Sequence, residues 1–241
     1  MTKVLEFPVS RGIIPALDAD SFNENRRIVA ATTGIEGIAG YKLGLSSVLR
    51  LGLARAVKVL REETDLPLIY DHQKAGPDVP SMAPKFIDLC AESDVQAVIL
   101  FPLAGEQAVK SFVSGALDCN ILPIVGGELP FLEYRASHGG YVVDDVLERI
   151  LTLAIALGAQ HFVLPANDPK RLAEHVQTLR RNIVSASLFL PGIGALGGNI
   201  RDTFATVGDW PAYAIIGRAI CDADHPSEAA RRLSGEAIAT L

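Results

Sequence analysis

The sequence predicts an α/β fold of the (β/α)8 type, also called a TIM barrel. Three observations lead to this prediction: about eight short apolar runs, longer amphipathic segments between them, and a length of 241 residues. Apolar runs without polar alternation indicate strands buried on both faces, as in parallel sheets covered by helices. One barrel of this kind usually needs roughly 250 residues. We therefore expect one barrel domain over residues 1–241.

The strand candidates follow one another at regular intervals. They are residues 12–18, 37–44, 67–71, 96–101, 121–127, 159–165, 186–192 and 213–218. Helical spacing predicts helices between them, for example over residues 21–32, 48–63, 80–92, 142–157 and 169–181. An open doubly wound sheet is the structural alternative. The number of units favours the barrel, as does the lack of a Gly-x-Gly-x-x-Gly sequence after the first strand.

Charge and cysteine content limit the possible partners. The net charge of −6 argues against nucleic acid, whose phosphates attract basic surfaces, but it permits one small phosphorylated molecule. Cys90, Cys119 and Cys221 are far apart, so neither a disulfide framework nor a structural zinc site is expected. The first residues lack the apolar core of a signal peptide, and no run of about 18 apolar residues suggests a membrane span. We expect a cytoplasmic protein.

Charged residues stand at the ends of the first three strand candidates. In this fold the reactive groups lie at the C-terminal ends of the strands. Asp18 ends the first strand and Lys42 interrupts the second, while Asp71 ends the third and is followed by Lys74 and Asp78. Neighbouring opposite charges hold each other ionised. The spacing fits an active site, and it fits equally well an ion pair that only links strands two and three.

A glycine-rich loop and a Gly-Arg pair predict a phosphate site. The loop follows strand seven at residues 191–199, and Gly217-Arg218 follows strand eight. Loops after these two strands form the usual phosphate site of the barrel, where backbone N–H groups and an arginine bind the anion. A plain turn with a surface arginine is the alternative.

Other polar candidates are weaker. The five histidines show no metal-ligand spacing, so no metal is expected. His72 adjoins the candidate site, and we interpret it as structural. Glu128 either faces the pocket or caps the following segment.

Taken together, these residues resemble the orotidine 5′-phosphate decarboxylase family. The resemblance covers nearly the whole chain and rests on Ala16-Leu17-Asp18, Lys42, the charged cluster after strand three, VLPANDP at 163–169, PGIGALGGN at 191–199 and IIGRAI with DHPSEAA within 215–230. The family motif after strand three is commonly Asp-x-Lys-x-x-Asp. Here the spacing is longer, Asp71-x-x-Lys74-x-x-x-Asp78.

The resemblance implies a role for each matching residue. Lys42, Asp71, Lys74 and Asp78 would form a catalytic charged tetrad, in which Asp78 reaches the partner subunit's site in a homodimer. Asp18 and Lys42 would bind ribose hydroxyls. The phosphate of a nucleotide substrate would be bound by the closing loop and the strand-eight end, that is by Pro191, Gly192, Gly194, Leu196, Gly197, Gly198, Gly217 and Arg218.

Two departures from the family pattern concern contacts to the pyrimidine. Leu196 stands where the family commonly has a glutamine in the closing loop. A Ser or Thr that the family has after strand five is missing from Gly127-Glu128-Leu129-Pro130-Phe131. The resemblance implies decarboxylation of orotidine 5′-phosphate to uridine 5′-phosphate without a cofactor. Alternatives are a Mg2+-dependent keto-sugar-phosphate decarboxylase or aldolase of the same barrel group, a non-catalytic barrel that binds a nucleotide phosphate, and, more distantly, a barrel isomerase of amino-acid biosynthesis.

Overall fold

Eight parallel strands close into a barrel. The structure is a computed structural model that describes residues 7–19, 21–73, 78–194 and 197–240. Within these residues each strand pairs with its chain neighbours, and β1 pairs with β8. The closure confirms the predicted (β/α)8 barrel over the open sheet. The strands are β1 (Arg11–Leu17), β2 (Tyr41–Leu43), β3 (Leu68–Asp71), β4 (Ala97–Leu100), β5 (Leu122–Val125), β6 (His161–Val163), β7 (Ser187–Pro191) and β8 (Ala212–Ile216).

Helices follow the strands and cover the barrel. Gly52, with a φ of 76°, divides the predicted helix 48–63 into α2 and α3, since a left-handed residue cannot continue a right-handed helix. No described helix is both long and apolar enough to cross a membrane. The helices are α1 (Phe22–Thr32), α2 (Leu45–Leu51), α3 (Leu53–Leu60), α4 (Ala83–Glu92), α5 (Glu106–Asp118), α6 (Val146–Ala156), α7 (Pro169–Asn182), α8 (Ile200–Val207), α9 (Arg218–Cys221) and α10 (Pro226–Ile238).

The barrel has two apolar cores because alternate strand residues point to opposite faces. Outward residues such as Leu43 and Leu68 pack with the helices in a large outer core. Inward residues such as Ile14, Ile69 and Ile99 fill the barrel interior. The interior is therefore packed with side chains, and the reactive groups can lie only at its ends.

Aromatic side chains fill the N-terminal end of the barrel. Phe7 lies 5.2 Å from Phe189 and 4.9 Å from Tyr213, measured between ring centroids, and His161 lies 6.3 Å from Phe189. Burial lowers the pKa of His161 to about 4. His161 is therefore neutral in the folded protein at physiological pH, and its position at this end separates it from the strand ends that carry Asp18 and Asp71.

His161 is expected to make the fold sensitive to mild acid. The unfolded chain binds a proton to this residue near pH 6.5, whereas the folded chain does so only near its lowered pKa of about 4. Stability is therefore lost as the pH falls through this window, by about 2 kcal/mol between pH 7 and pH 5. In urea unfolding, His161→Phe should lose less stability than wild type over this range. The exposed His138→Phe is the control, and an unchanged pH dependence in His161→Phe would contradict the assignment.

Candidate active site

Strand periodicity places Asp18, Lys42 and Asp71 at the C-terminal mouth of the barrel. Asp71 is two residues beyond the inward-facing Ile69, and Asp18 is two residues beyond the inward-facing Ala16. Lys42 lies between Tyr41 and Leu43, which both face the outer core. Asp18 and Asp71 therefore lie one inward level above the apolar interior, and Lys42, which pairs in register with Ala16 and Ile69, points inward below them.

These three side chains form one buried ion cluster. Lys42 Nζ lies 2.8 Å from Asp71 Oδ2 and 3.4 Å from Asp18 Oδ2. The Asp71 side chain is 0% exposed and that of Lys42 is 5% exposed, whereas Asp18 is 34% exposed. The cluster thus runs from a fully buried carboxylate to a partly exposed one.

Lys42 stays charged despite its burial. Burial alone would lower the pKa of Lys42, but the attraction of Asp71 and then Asp18 outweighs it and raises the pKa above its ordinary value. The ammonium therefore persists at physiological pH and offers donors beside two carboxylates. Removing either carboxylate would leave a buried charge incompletely compensated.

Several residues that the sequence analysis did not single out support the end of β1. Asn25 is 1% exposed; its Oδ1 accepts the N–H of Ala19 at 3.1 Å, and its Nδ2 donates to Ser47 Oγ at 2.9 Å. Ser47 in turn donates to the carbonyl of Leu17 at 2.9 Å. A side chain at Gly44 would collide with the carboxylate of Asp18. The chain around Asp18 is thus held from both sides.

The described residues of the loop after β7 bond to one another. Gly192, Gly194 and Gly197 have positive φ angles of 98°, 84° and 100°. The N–H of Gly194 donates to the carbonyl of Gly198 at 2.8 Å, and that of Gly197 donates to Gly194 at 2.9 Å. These two N–H groups therefore already have acceptors within the loop. Pro191 is the last residue of β7, and Leu196 lies outside the described residues.

The strand-seven loop and the strand-eight end lie side by side. A Cβ atom added to Gly194 would be 3.7 Å from the Cβ of Ala219, which follows Arg218 at the start of α9. Arg218 is exposed, and Gly217 directly follows Ile216, the last residue of β8. The structure therefore brings the two predicted halves of the phosphate site together.

The other tetrad residues are not assembled with this cluster in the described part of the chain. Lys74 lies outside the described residues. Asp78 is exposed, and its Oδ1 accepts the N–H of Val79 at 2.7 Å. His72 points outward, with its ring 4.2 Å from that of Phe86 and its Nδ1 3.3 Å from the Tyr70 hydroxyl. His72 therefore packs between β3 and α4.

Glu128 belongs to a separate ion cluster. It is 6% exposed, and its carboxylate contacts Arg171 at 2.9 Å and His175 at 3.2 Å. Burial alone would raise the pKa of Glu128, but hydrogen bonds from His175 and Arg171 lower it to about 2. Arg135 lies 3.9 Å away. Glu128 thus links the connection after β5 to α7.

A closed barrel with a buried charge cluster at the C-terminal ends of its strands is typical of TIM-barrel enzymes. The family model described as Orotidine 5′-phosphate decarboxylase / HUMPS family matches residues 12–233. The chain therefore belongs to this family, which confirms the resemblance seen in the sequence.

Two relatives agree with this membership. Orotidine 5′-phosphate decarboxylase of Methanosarcina barkeri is 30% identical over 93% of this chain and 93% of its own. The enzyme of Methanosarcina acetivorans is 31% identical over 95% of this chain and 96% of its own. These relatives are carboxy-lyases, and the predicted enzyme class is thereby confirmed.

Solved structures confirm the fold independently. Orotidine 5′-monophosphate decarboxylase of Methanocaldococcus jannaschii, in complex with the inhibitor BMP, matches with a TM-score of 0.78 at 22% identity, over 96% of this chain and 99% of that one. The enzyme of Pyrococcus horikoshii gives a TM-score of 0.74 at 23% identity, over 93% of this chain and 98% of that one.

Proposed function

We propose that this chain converts orotidine 5′-phosphate to uridine 5′-phosphate and CO2 without a metal or an organic cofactor. The observation that carries the proposal is the buried Asp18–Lys42–Asp71 cluster at the barrel mouth of a chain of this family. The cluster supplies a buried negative charge and a persistent ammonium at one place. Such preorganised charges act strongly because little water surrounds them.

Each charged residue has a role in the proposed reaction. Asp71 lies beside the substrate carboxylate, and its negative charge raises the free energy of the bound substrate before the reaction. The bond between C6 and the carboxylate carbon breaks, CO2 leaves, and the electron pair remains on C6. Lys74 stabilises this carbanion and then gives it a proton, which solvent replaces. Lys42 and Asp18 hold the ribose hydroxyls and so position the base.

The phosphate contributes to catalysis although it is remote from C6. It is held by the loop from Pro191 to Gly198 together with Gly217 and Arg218, with Leu196 inside the closing segment. Binding energy from the phosphate drives closure of the loop over the substrate. The internal hydrogen bonds of Gly194 and Gly197 fit an open loop that exchanges them for phosphate contacts.

The proposed enzyme is a homodimer with shared active sites. Asp78 is exposed, and its carboxylate accepts a hydrogen bond from the adjacent backbone N–H of Val79, so a partner subunit can reach it. Large apolar side chains are exposed on the segment that follows it: Val79 at 55%, Met82 at 37% and Leu89 at 52%. Burying such side chains in an interface is favourable, and a two-fold axis would make the contact reciprocal.

The Mg2+-dependent alternative is less well supported. It needs strand-end carboxylates around a cation, but the ammonium of Lys42 lies between Asp18 and Asp71. Among the described residues, no three His, Cys, Asp or Glu side chains are arranged to hold a metal ion. A non-catalytic barrel that binds a nucleotide phosphate is the second candidate function, because the sequence differs from the family at the two positions that commonly contact the base.

One absorbance assay separates these functions. Orotidine 5′-phosphate is mixed with purified protein, with and without EDTA, and the loss of its absorbance is followed. The proposal predicts turnover to uridine 5′-phosphate at the same rate in both samples. Turnover that EDTA abolishes and Mg2+ restores would support the metal-dependent alternative. Tight binding of uridine 5′-phosphate without turnover would support the binding protein.

Arg218→Ala should raise KM strongly and also lower kcat. A charge-assisted contact to phosphate is worth on the order of 2–3 kcal/mol, which corresponds to a loss of roughly 30- to 150-fold in kcat/KM. Steady-state kinetics measures both parameters. Arg181→Ala, an exposed arginine near the C-terminal end of α7, is the matched control. If both parameters of Arg218→Ala stay within about twofold of wild type, the phosphate is held elsewhere.

A further inference from the structure

The backbone and the side chain of Gln73 each donate a hydrogen bond to the carboxylate of Asp71. The backbone N–H of Gln73 donates to Oδ1 at 3.2 Å, and its side-chain Nε2 donates to Oδ2 at 2.9 Å. Lys42 Nζ donates to the same Oδ2 at 2.8 Å. Because an ionised carboxylate only accepts hydrogen bonds, the amide nitrogen of Gln73, and not its oxygen, must face Asp71.

Local turn formation explains only one of these contacts. An aspartate that accepts the N–H two residues further on forms an ordinary Asx turn, and almost any residue at position 73 would supply that N–H. The bond from Nε2 needs a side chain of this length that ends in a donor. Gln73 is half-buried, so fixing its side chain against Asp71 also costs conformational entropy. The contact therefore depends on the side chain of Gln73 and not on the turn alone.

We infer that Gln73 is a positioning residue that fixes the carboxylate plane of Asp71. This inference rests on the proposed function, in which Asp71 stands beside the departing carboxylate. Donors on both oxygens prevent rotation of the Asp71 carboxylate, and small displacements matter where charges meet in a buried site. A neutral amide holds the carboxylate without adding a positive charge that would offset its negative charge.

Two substitutions test the inference through kcat and KM. Gln73→Leu keeps the size but removes the donor, and it should lower kcat roughly 10- to 100-fold. Gln73→Glu places a second carboxylate against Asp71 and should lower kcat at least as much. KM and the binding of uridine 5′-phosphate should stay within about threefold of wild type, because the phosphate contacts remain. Gln107→Leu and Gln107→Glu, at an exposed position in α5, are the matched controls and should not change kcat.

The outcomes separate this inference from the proposed function. If wild-type protein does not decarboxylate orotidine 5′-phosphate, both fail together. If wild type turns over and the Gln73 variants keep kcat within about twofold, only the role of Gln73 is refuted. A rise in KM with kcat unchanged would also overturn it, since that pattern indicates lost binding. Thermal unfolding checks each variant, and Gln73→Met replaces Gln73→Leu if the latter does not fold.

Discussion

Lys74→Ala is expected to abolish decarboxylation while the barrel stays folded. Lys74 follows Asp71 in the charged run after β3, where the proposed mechanism needs a group that stabilises the carbanion and donates a proton to C6. Proton donation and charge stabilisation each contribute roughly 100-fold or more to rates, so losing both should cost at least about 10,000-fold in kcat. Binding of uridine 5′-phosphate should persist, because the proposed phosphate contacts lie after β7 and β8.

The controls for this prediction isolate the chemistry from the fold. Lys85→Ala removes an exposed lysine from α4 and should leave kcat unchanged. Circular dichroism and thermal unfolding should show the same transition for wild type and both variants. Near-wild-type turnover by Lys74→Ala would remove Lys74 from the mechanism and require another proton donor.

Mixed dimers of Asp71→Asn and Asp78→Asn should recover activity that neither variant has alone. If Asp78 serves the partner's pocket, one pocket of each mixed dimer carries both substitutions and the other carries none. Random exchange makes about half of the dimers mixed, so total activity should recover to about a quarter of wild type. The two variants are co-expressed with different tags, the mixed species is isolated, and its turnover, expected at about half of wild type, is measured.

Two results would argue against the shared site. Isolated mixed dimers with no activity above the parents would show that Asp78 acts within its own chain or not at all. A control dimer of two differently tagged Asp71→Asn chains should stay inactive, since neither pocket is intact. Recovery in that control would indicate contamination or exchange with wild-type enzyme, and not complementation.

Much of the fold could be predicted because local sequence patterns indicate where strands and helices lie. Apolar runs locate the strands, although the predicted 37–44 shortens to Tyr41–Leu43, because the pattern does not show where pairing with β1 and β3 stops. The helical spacing of apolar residues continues through Gly52, so the sequence does not show the break between α2 and α3. There the backbone conformation of a single residue overrides the pattern.

The buried charged residues of the site could also be predicted from the sequence. Lys42 and Asp71 interrupt or end apolar strands, and a buried charge in such a strand needs a partner. Gln73 and Asn25 could not be found in this way, since a neutral amide in a loop or on a helix gives no periodic signal. Their roles depend on which distant groups the fold brings near. The same holds for Glu128, whose partner Arg171 lies 43 residues further along the chain.

The central claim is that the charged cluster removes CO2 from C6 and protonates that carbon without a metal. Orotidine 5′-phosphate labelled with 13C in its carboxylate is mixed in D2O with purified protein containing EDTA, and the products are followed by NMR. The account predicts that labelled CO2 and uridine 5′-phosphate appear in equal amounts, with one deuterium at C6. Intact substrate after prolonged incubation with stoichiometric protein, or CO2 release that requires added Mg2+, would contradict it.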